Sequence, residues 1–257
     1  MKGNAKYGQA LLLGKGGFGS VYRVEETATG KLFACKVADG VGRKYLRKEA
    51  LILREFKHPL FPFFKEAWEK DDKMFLCMEY VPGGTLEAFV QRRGKIPEAT
   101  VTIIAAELAE GLALLHKRGY VYRDLKPANV LIRQDGRVKL LDFGCICRAE
   151  EVCDSLAGTP GFSAPEQFEK GCPRAVMDIY ALGKIMQYML LGGGEEGGFE
   201  KCKCKRRIRK MVDYCTKMES NTRLPSVEVL LPMLHGIKIQ SNYWIMRDIW
   251  KRGEMNS

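Results

Sequence analysis

Asn129-Val130-Leu131-Ile132-Arg133-Gln134-Asp135-Gly136-Arg137-Val138-Lys139-Leu140-Leu141-Asp142 contains two apolar, strand-like runs around an Asp-Gly pair. Asp-Gly is a preferred two-residue hairpin turn. With the turn at Asp135-Gly136, Asn129 is expected opposite Asp142, so a carboxamide and a carboxylate meet at the open end of the hairpin. Two oxygen donors side by side suit Mg²⁺, which keeps waters and substrate phosphates as its other ligands. Just upstream runs Tyr122-Arg123-Asp124-Leu125-Lys126-Pro127-Ala128. Asp124 is a candidate base or orienter for an attacking hydroxyl, with Lys126 beside it. Taken alone, the stretch also reads as a solvated loop followed by a hairpin.

Working outward, Gly14-Lys15-Gly16-Gly17-Phe18-Gly19-Ser20-Val21 lies between Leu11–Leu13 and Val21-Tyr22-Arg23-Val24. Glycines in a turn let backbone N–H groups approach phosphate oxygens with no side chain in the way. The β-branched and aromatic residues that follow argue for a strand, whereas a dinucleotide-binding fingerprint needs a helix there. By itself this loop is equally a flexible turn. In Leu32-Phe33-Ala34-Cys35-Lys36-Val37, which follows a Thr29-Gly30 turn, Leu32, Ala34 and Lys36 share one strand face. In Arg43–Phe56, Leu46, Ala50, Leu53 and Phe56 follow helical spacing, and Glu49 falls on or beside their inward stripe. A carboxylate there is costly unless a cation meets it. Lys36 is the candidate cation; the alternative is an edge lysine whose head reaches solvent.

The 257 residues are 46% hydrophobic and 28% charged, which excludes a mostly disordered chain, a collagen-like fibre and a coiled coil. No apolar run approaches the roughly 18 residues of a membrane span, so no transmembrane segment and a soluble chain are expected. The N-terminus shows no cleavage-site pattern of a signal peptide. A formal net charge of +11 favours anionic partners, and seven basic residues fall between Lys201 and Lys210. That run is either an anion-binding patch or a solvated helix end. Nine cysteines without framework spacing point to free thiols in a reducing, cytoplasmic setting. Cys202-x-Cys204 lacks the second close Cys/His pair that a zinc site needs. A helix is expected from about Pro97 to Gly119, with Val101, Ile104, Leu108 and Leu115 inward, and others around Ile208–Met218 and Val227–Leu234.

The order of these motifs resembles that of eukaryotic-like Ser/Thr protein kinases over nearly the whole chain. The glycine loop, Ala34-Cys35-Lys36, Glu49, Tyr122–Asn129, Asp142-Phe143-Gly144 and Ala164-Pro165-Glu166 stand in family order. The short stretch Ala157–Gln167 looks most like bacterial members. The resemblance implies an α+β, bilobal fold: a β-rich N-lobe with one key helix at about 1–81, a hinge at 82–84 and a mainly helical, shortened C-lobe at 85–257. It implies ATP and Mg²⁺, with Mn²⁺ as a substitute, and protein Ser/Thr hydroxyls as substrates. Gly14, Lys15, Gly16, Gly17, Phe18 and Gly19 then cover the phosphates. Lys36 holds the α/β-phosphates and pairs with Glu49. Asp124 orients the substrate hydroxyl, Lys126 neutralises the γ-phosphoryl group, and Asn129 and Asp142 bind metal. Val21, Ala34 and Leu131 sandwich adenine, Met78 is the gatekeeper, and Glu79 and Val81 offer backbone groups.

Some positions depart from the pattern or extend it. Tyr122 replaces the more common His of the catalytic loop. Arg123 precedes Asp124, and in such kinases this arginine takes an anionic partner from the activation segment; Ser155 is the candidate, after autophosphorylation. Thr159 and Lys126 resemble the Ser/Thr pattern, and Arg223 is expected to pair with Glu166. Thr85 and Ala128 stand where basophilic relatives carry acids, so acidic or neutral sites are expected to be preferred. The competing readings are a pseudokinase scaffold that binds nucleotide without transfer, and a basic anion-binding module.

Overall fold

The apolar runs on either side of the glycine loop fold as an antiparallel hairpin. In the computed structural model, which describes residues 6–17, 19–152, 158–194 and 196–236 (without the side chains of 196–198), β1 is Tyr7–Gly16 and β2 is Gly19–Glu26. Gly16 pairs with Gly19 at the tip; Phe18 lies outside the described residues. Three further strands, β3 (Leu32–Ala38), β4 (Phe64–Lys70) and β5 (Lys73–Glu79), complete a sheet of order β1-β2-β3-β5-β4, every pair antiparallel. One helix, α1 (Gly42–Glu55), belongs to this part of the chain.

Directly paired residues share a sheet face. Val21, Lys36 and Leu76 therefore lie with Ala34 and Met78 on one side, and Tyr22, Cys35 and Cys77 lie with Val24, Phe33 and Phe75 on the other. α1 buries Leu46, Ala50 and Leu53 together with Glu49. Phe61 packs edge-to-face with Phe56 at 6.2 Å and with Phe143 at 5.0 Å between ring centres. This arrangement makes Asp142-Phe143-Gly144 part of the same unit. The chain divides into the described parts of Met1–Pro82 with Asp142–Gly144, and of Gly83–Leu141 with Cys145–Ser257.

The second unit contains β6 (Gly83–Thr85), α2 (Leu86–Arg93), α3 (Glu98–Lys117), β7 (Tyr120–Val121), β8 (Val130–Arg133), β9 (Val138–Leu140), β10 (Cys147–Arg148), α4 (Ala175–Leu191), α5 (Arg206–Cys215) and α6 (Val227–His235). Its strands form a β6-β8-β9 sheet and a β10-β7 pair. Gly83 and Gly84, expected as hinge, pair with Arg133 and Ile132 as part of β6. Thr85 caps α2 by accepting a bond from the Ala88 N–H at 3.2 Å. By length and composition α3 could cross a membrane, a departure from the sequence-based expectation. Its Val101, Ile104, Leu108 and Leu115 are buried inside this unit, which marks it as a core helix.

The hairpin register is a second correction. Val130 pairs with Leu140 and Ile132 with Val138, and the Leu141 N–H donates to the Asn129 carbonyl at 2.8 Å. Asn129 therefore faces Leu141, one residue short of Asp142. The cause is the turn. The Gly136 N–H closes on Arg133 O at 2.9 Å and Gly136 has φ 84, so Gln134-Asp135-Gly136 is a three-residue loop ending in a left-handed glycine. Asp142 lies beyond the ladder, with φ 59.

Among the described residues seven cysteines (Cys35, Cys77, Cys145, Cys172, Cys202, Cys204 and Cys215) are free; Cys147 is disulfide-bonded, against the expectation of free thiols throughout. Within the basic run, Arg207 donates to the carbonyls of Gly236 and Met233, and Arg209 to those of Phe199 and Cys202. Lys201, Lys203, Lys205, Arg206 and Lys210 are exposed.

Candidate active site

In the first unit, strand alternation and helix periodicity bring together a cation and two carboxylates. Lys36 on β3 lies 2.7 Å from Glu49 on α1 and 2.9 Å from Asp142. Glu49 is 1% exposed, so the cation its position requires is supplied within the same unit. Burial works to lower the Lys36 ammonium, but Glu49 and Asp142 outweigh it and hold it well above its ordinary value. Burial pushes the Glu49 carboxyl up; Lys36 and the Phe143 N–H oppose that rise. The result is a fixed, permanently charged ammonium beside a partly exposed aspartate. That pairing suits an anionic phosphate next to a cation held by the carboxylate.

The glycine hairpin shows where backbone can be approached. A Cβ on Gly14 or Gly17 would meet nothing within 4 Å, so the strand backbone there is unobstructed. Gly19 is different: φ is 148, and a Cβ would sit 2.2 Å from Val37 O, so only glycine fits against β3. Lys15 is exposed at the tip, opposite Ser20. Val21, Ala34 and Met78 share the face that carries Lys36, with Ala34 directly opposite Met78. Val81 is buried. The Glu79 N–H is bonded to Phe63 O at 2.8 Å, which removes that donor from a ligand's reach. Leu131 belongs to the second unit, on β8 opposite Thr85.

In the second unit Asp124 is held from three sides. Asn129 donates its amide to the Asp124 carbonyl at 2.8 Å and to the Asp124 carboxylate at 2.9 Å. Lys126 Nζ lies 3.0 Å from the same carboxylate. The Thr159 hydroxyl donates to Asp124 Oδ1 at 2.9 Å and accepts from Lys126 at 3.0 Å. Because the Asn129 nitrogen is turned to Asp124, its amide oxygen points away, as a metal ligand needs. Asn129 and Asp142 thus each supply the kind of hard oxygen donor that Mg²⁺ takes. They belong to different units.

Beneath Asp124 the backbone is strained and braced. Arg123 has φ 72, which a non-glycine residue adopts only when its surroundings enforce it. Asp178, in the first turn of α4, accepts from the N–H groups of Tyr122 and Arg123 at 2.8 Å each, and His116 Nε2 lies 2.8 Å from it. Gln167 donates to the Arg123 carbonyl at 2.6 Å, and the Tyr122 hydroxyl to the Leu141 carbonyl. The Arg123 guanidinium donates to Cys147 Sγ at 3.2 Å. Its expected partner, Ser155, lies outside the described residues. None of His116, Asp178 and Gln167 was a candidate site residue. An acid within an otherwise apolar helix was the available signal for Asp178.

The chain matches the protein kinase domain over residues 7–231. It belongs to the protein kinase family. Over 187 residues the kinase is 37% identical to the cAMP-dependent protein kinase catalytic subunit PRKX of Homo sapiens, covering 70% of this chain and 52% of that one. Over 194 residues it is 36% identical to the cAMP-dependent protein kinase catalytic subunit of Dictyostelium discoideum, with 73% and 30% covered. Over 200 residues it is 35% identical to RAC-beta serine/threonine-protein kinase A of Xenopus laevis, with 70% and 39% covered. The kinase spans about half or less of the length of these curated relatives. These relatives are serine/threonine kinases, and the protein kinase family generally uses ATP and a divalent metal.

Arg223 ties the segment after Thr159 to the rest of the second unit. Its side chain is fully buried, forks onto both Glu166 oxygens at 2.6 and 2.9 Å, and also reaches the carbonyls of Lys217, Val176 and Met218. Arg223→Ala strips the fork from a partly buried carboxylate and removes the bonds to three carbonyls, and is expected to cost about 3–5 kcal/mol in denaturant melts. Arg223→Lys recovers little of that, because a point ammonium cannot make the fork. Wild-type stability in the alanine variant would contradict this reading.

Proposed function

We propose that this kinase transfers the γ-phosphoryl group of Mg-ATP to protein Ser and Thr hydroxyls, and that it phosphorylates its own activation segment at Ser155. The observation that carries the transfer is the Thr159 hydroxyl, which bonds to both Asp124 and Lys126. An aliphatic hydroxyl is there oriented by a carboxylate while an ammonium bonds its oxygen. An acceptor hydroxyl replacing Thr159 in those contacts would have its proton directed at Asp124. Lys126 would stand by the incoming phosphoryl oxygens. In phosphoryl transfer, positioning and charge neutralisation carry most of the catalysis.

When bound, Mg²⁺ would be held by Asn129 and Asp142 and would neutralise phosphate charge. Lys36, kept charged by Glu49 and Asp142, would bind the α/β-phosphates, and Gly14, Gly16 and Gly19 would leave room for backbone contact with them. Acidic or neutral acceptor sites are favoured, because Thr85 and Ala128 bring no carboxylate to attract a basic peptide and the chain carries +11. The exposed lysines of 201–210 fit an anionic partner; the seven free thiols favour a reducing, cytoplasmic setting, against the disulfide at Cys147. The short stretch Ala157–Gln167 is the feature behind a bacterial-like affinity.

Incubation with γ-labelled ATP and Mg²⁺, a peptide array and phosphosite mapping test the proposal. Label is expected on Ser and Thr of acidic or neutral peptides and on Ser155. Label on tyrosine, or only on arginine-rich peptides, would contradict it.

A further inference from the structure

The sheet face that points away from Lys36 carries a site the phosphotransfer reaction does not use. Cys35 on β3 is paired directly with Cys77 on β5. Both thiols are free, with exposures of 1% and 0%. Directly opposed residues of antiparallel strands have Cα atoms about 4.5 or 5.5 Å apart, depending on the type of pair. Both spacings fall within the roughly 4.4–6.8 Å that a disulfide spans. The Cα spacing of this pair therefore falls within the reach of a disulfide.

The surroundings favour that bond. The two thiols sit with Tyr7 and Val24 in one cluster, against which Tyr22, Phe33, Trp68 and Phe75 pack. Trp68 stacks on Tyr7 at 6.0 Å and on Phe75 at 5.0 Å, so the sulfurs lie among aromatic rings. The neighbouring thiol raises Cys35 and holds Cys77 below the ordinary thiol value. One thiol of the pair is thus the better nucleophile and the other stands next to it.

We infer that Cys35 and Cys77 are a two-thiol modification site, converted by a hydroperoxide into a disulfide that ties β3 to β5. In the first step Cys77 sulfur attacks the peroxide, breaks its O–O bond, becomes a sulfenic acid and releases one water. Cys35 sulfur then attacks the Cys77 sulfur, the S–S bond forms and a second water leaves. Two thiols and one hydrogen peroxide give one disulfide and two waters, and a dithiol reductant reverses the change. Because both sulfurs are buried, the reaction is slower than at exposed Cys172, but its product is specific. It joins the strands that carry Lys36 and Met78 without consuming either.

The test treats the intact, folded chain with hydrogen peroxide, blocks remaining thiols under denaturing conditions, and analyses a non-reduced tryptic digest by mass spectrometry. The expected product is Leu32–Lys36 joined to Met74–Arg92, two hydrogens lighter than the separate peptides and abolished by dithiothreitol. Cys35→Ala and Cys77→Ala, each shown to be folded by circular dichroism, should lack it. Three results would overturn the site. One is alkylation of both cysteines as free thiols after Cys172 is fully oxidised. Another is sulfinic acid at Cys77 with Cys35 still free. The third is a linked peptide that forms only in denaturant.

Discussion

Asp124→Asn is expected to lower single-turnover phosphoryl transfer by about 10²–10⁴-fold, the usual range for loss of a positioned acid or base. The substitution is nearly isosteric. An asparagine at this position keeps one acceptor oxygen, so it can accept from Asn129 or from Thr159 but not from both, and it loses the charge that faces Lys126 at 3.0 Å. An amide is also a far weaker proton acceptor than a carboxylate. The strained Arg123 backbone is held by Asp178 and Gln167, not by the Asp124 side chain, so the variant should fold. Lys36, Glu49 and Asp142 are untouched, so nucleotide affinity should stay near wild type. The effect belongs in the transfer rate at saturating nucleotide, and a variant that transfers as fast as wild type would remove Asp124 from the chemistry.

Lys36→Met should cost about 10²–10³-fold in transfer by removing one charge that clamps phosphate oxygens. Unlike Asp124→Asn, it should also weaken nucleotide binding. Its effect on stability carries more information. Breaking a buried ion pair by removing one partner costs about 3–5 kcal/mol when the remaining charge stays ionised. Glu49 has an escape, because burial already pushes its carboxyl up and Lys36 is the main group opposing that. Without Lys36 it should take up a proton in the folded state. The folded chain then binds more protons than the unfolded one, so stability falls as pH rises from the ordinary carboxylate value through the raised one. Lys36→Met should be closest to wild-type stability in mild acid and lose stability toward alkaline pH. Lys36→Met with Glu49→Gln should lose that slope. Thermal melts across pH decide it, and a flat profile for the single variant would show Glu49 staying charged.

What could be read in the sequence was what local periodicity encodes. Glu49 on an inward helical stripe demanded a cation, and Lys36 was the lysine whose strand face allowed it. The long core helix was legible from Val101, Ile104, Leu108 and Leu115. The hairpin register was not, because Asp-Gly serves both a two-residue turn and a three-residue loop with glycine last. That one-residue difference moved Asn129 from Asp142 to Leu141. The brace under Asp124 was out of reach for another reason. Asp178 and Gln167 meet the catalytic loop through its backbone N–H and C=O groups, which carry no sequence signal, and His116 acts only through the Asp178 carboxylate. The pairing of Cys35 with Cys77 depends on β3 lying next to β5, a nonlocal choice that strand alternation does not specify.

The most direct measurement is single-turnover transfer of γ-labelled phosphate from Mg-ATP to a Ser/Thr acceptor peptide, at saturating nucleotide, for wild type beside Asp124→Asn. Metal-dependent label from wild type, with at least about a hundredfold slower transfer by a variant that still binds nucleotide, is the predicted result. Wild-type protein that binds Mg-ATP yet labels the peptide no faster than Asp124→Asn would contradict it and leave a scaffold that holds nucleotide without chemistry.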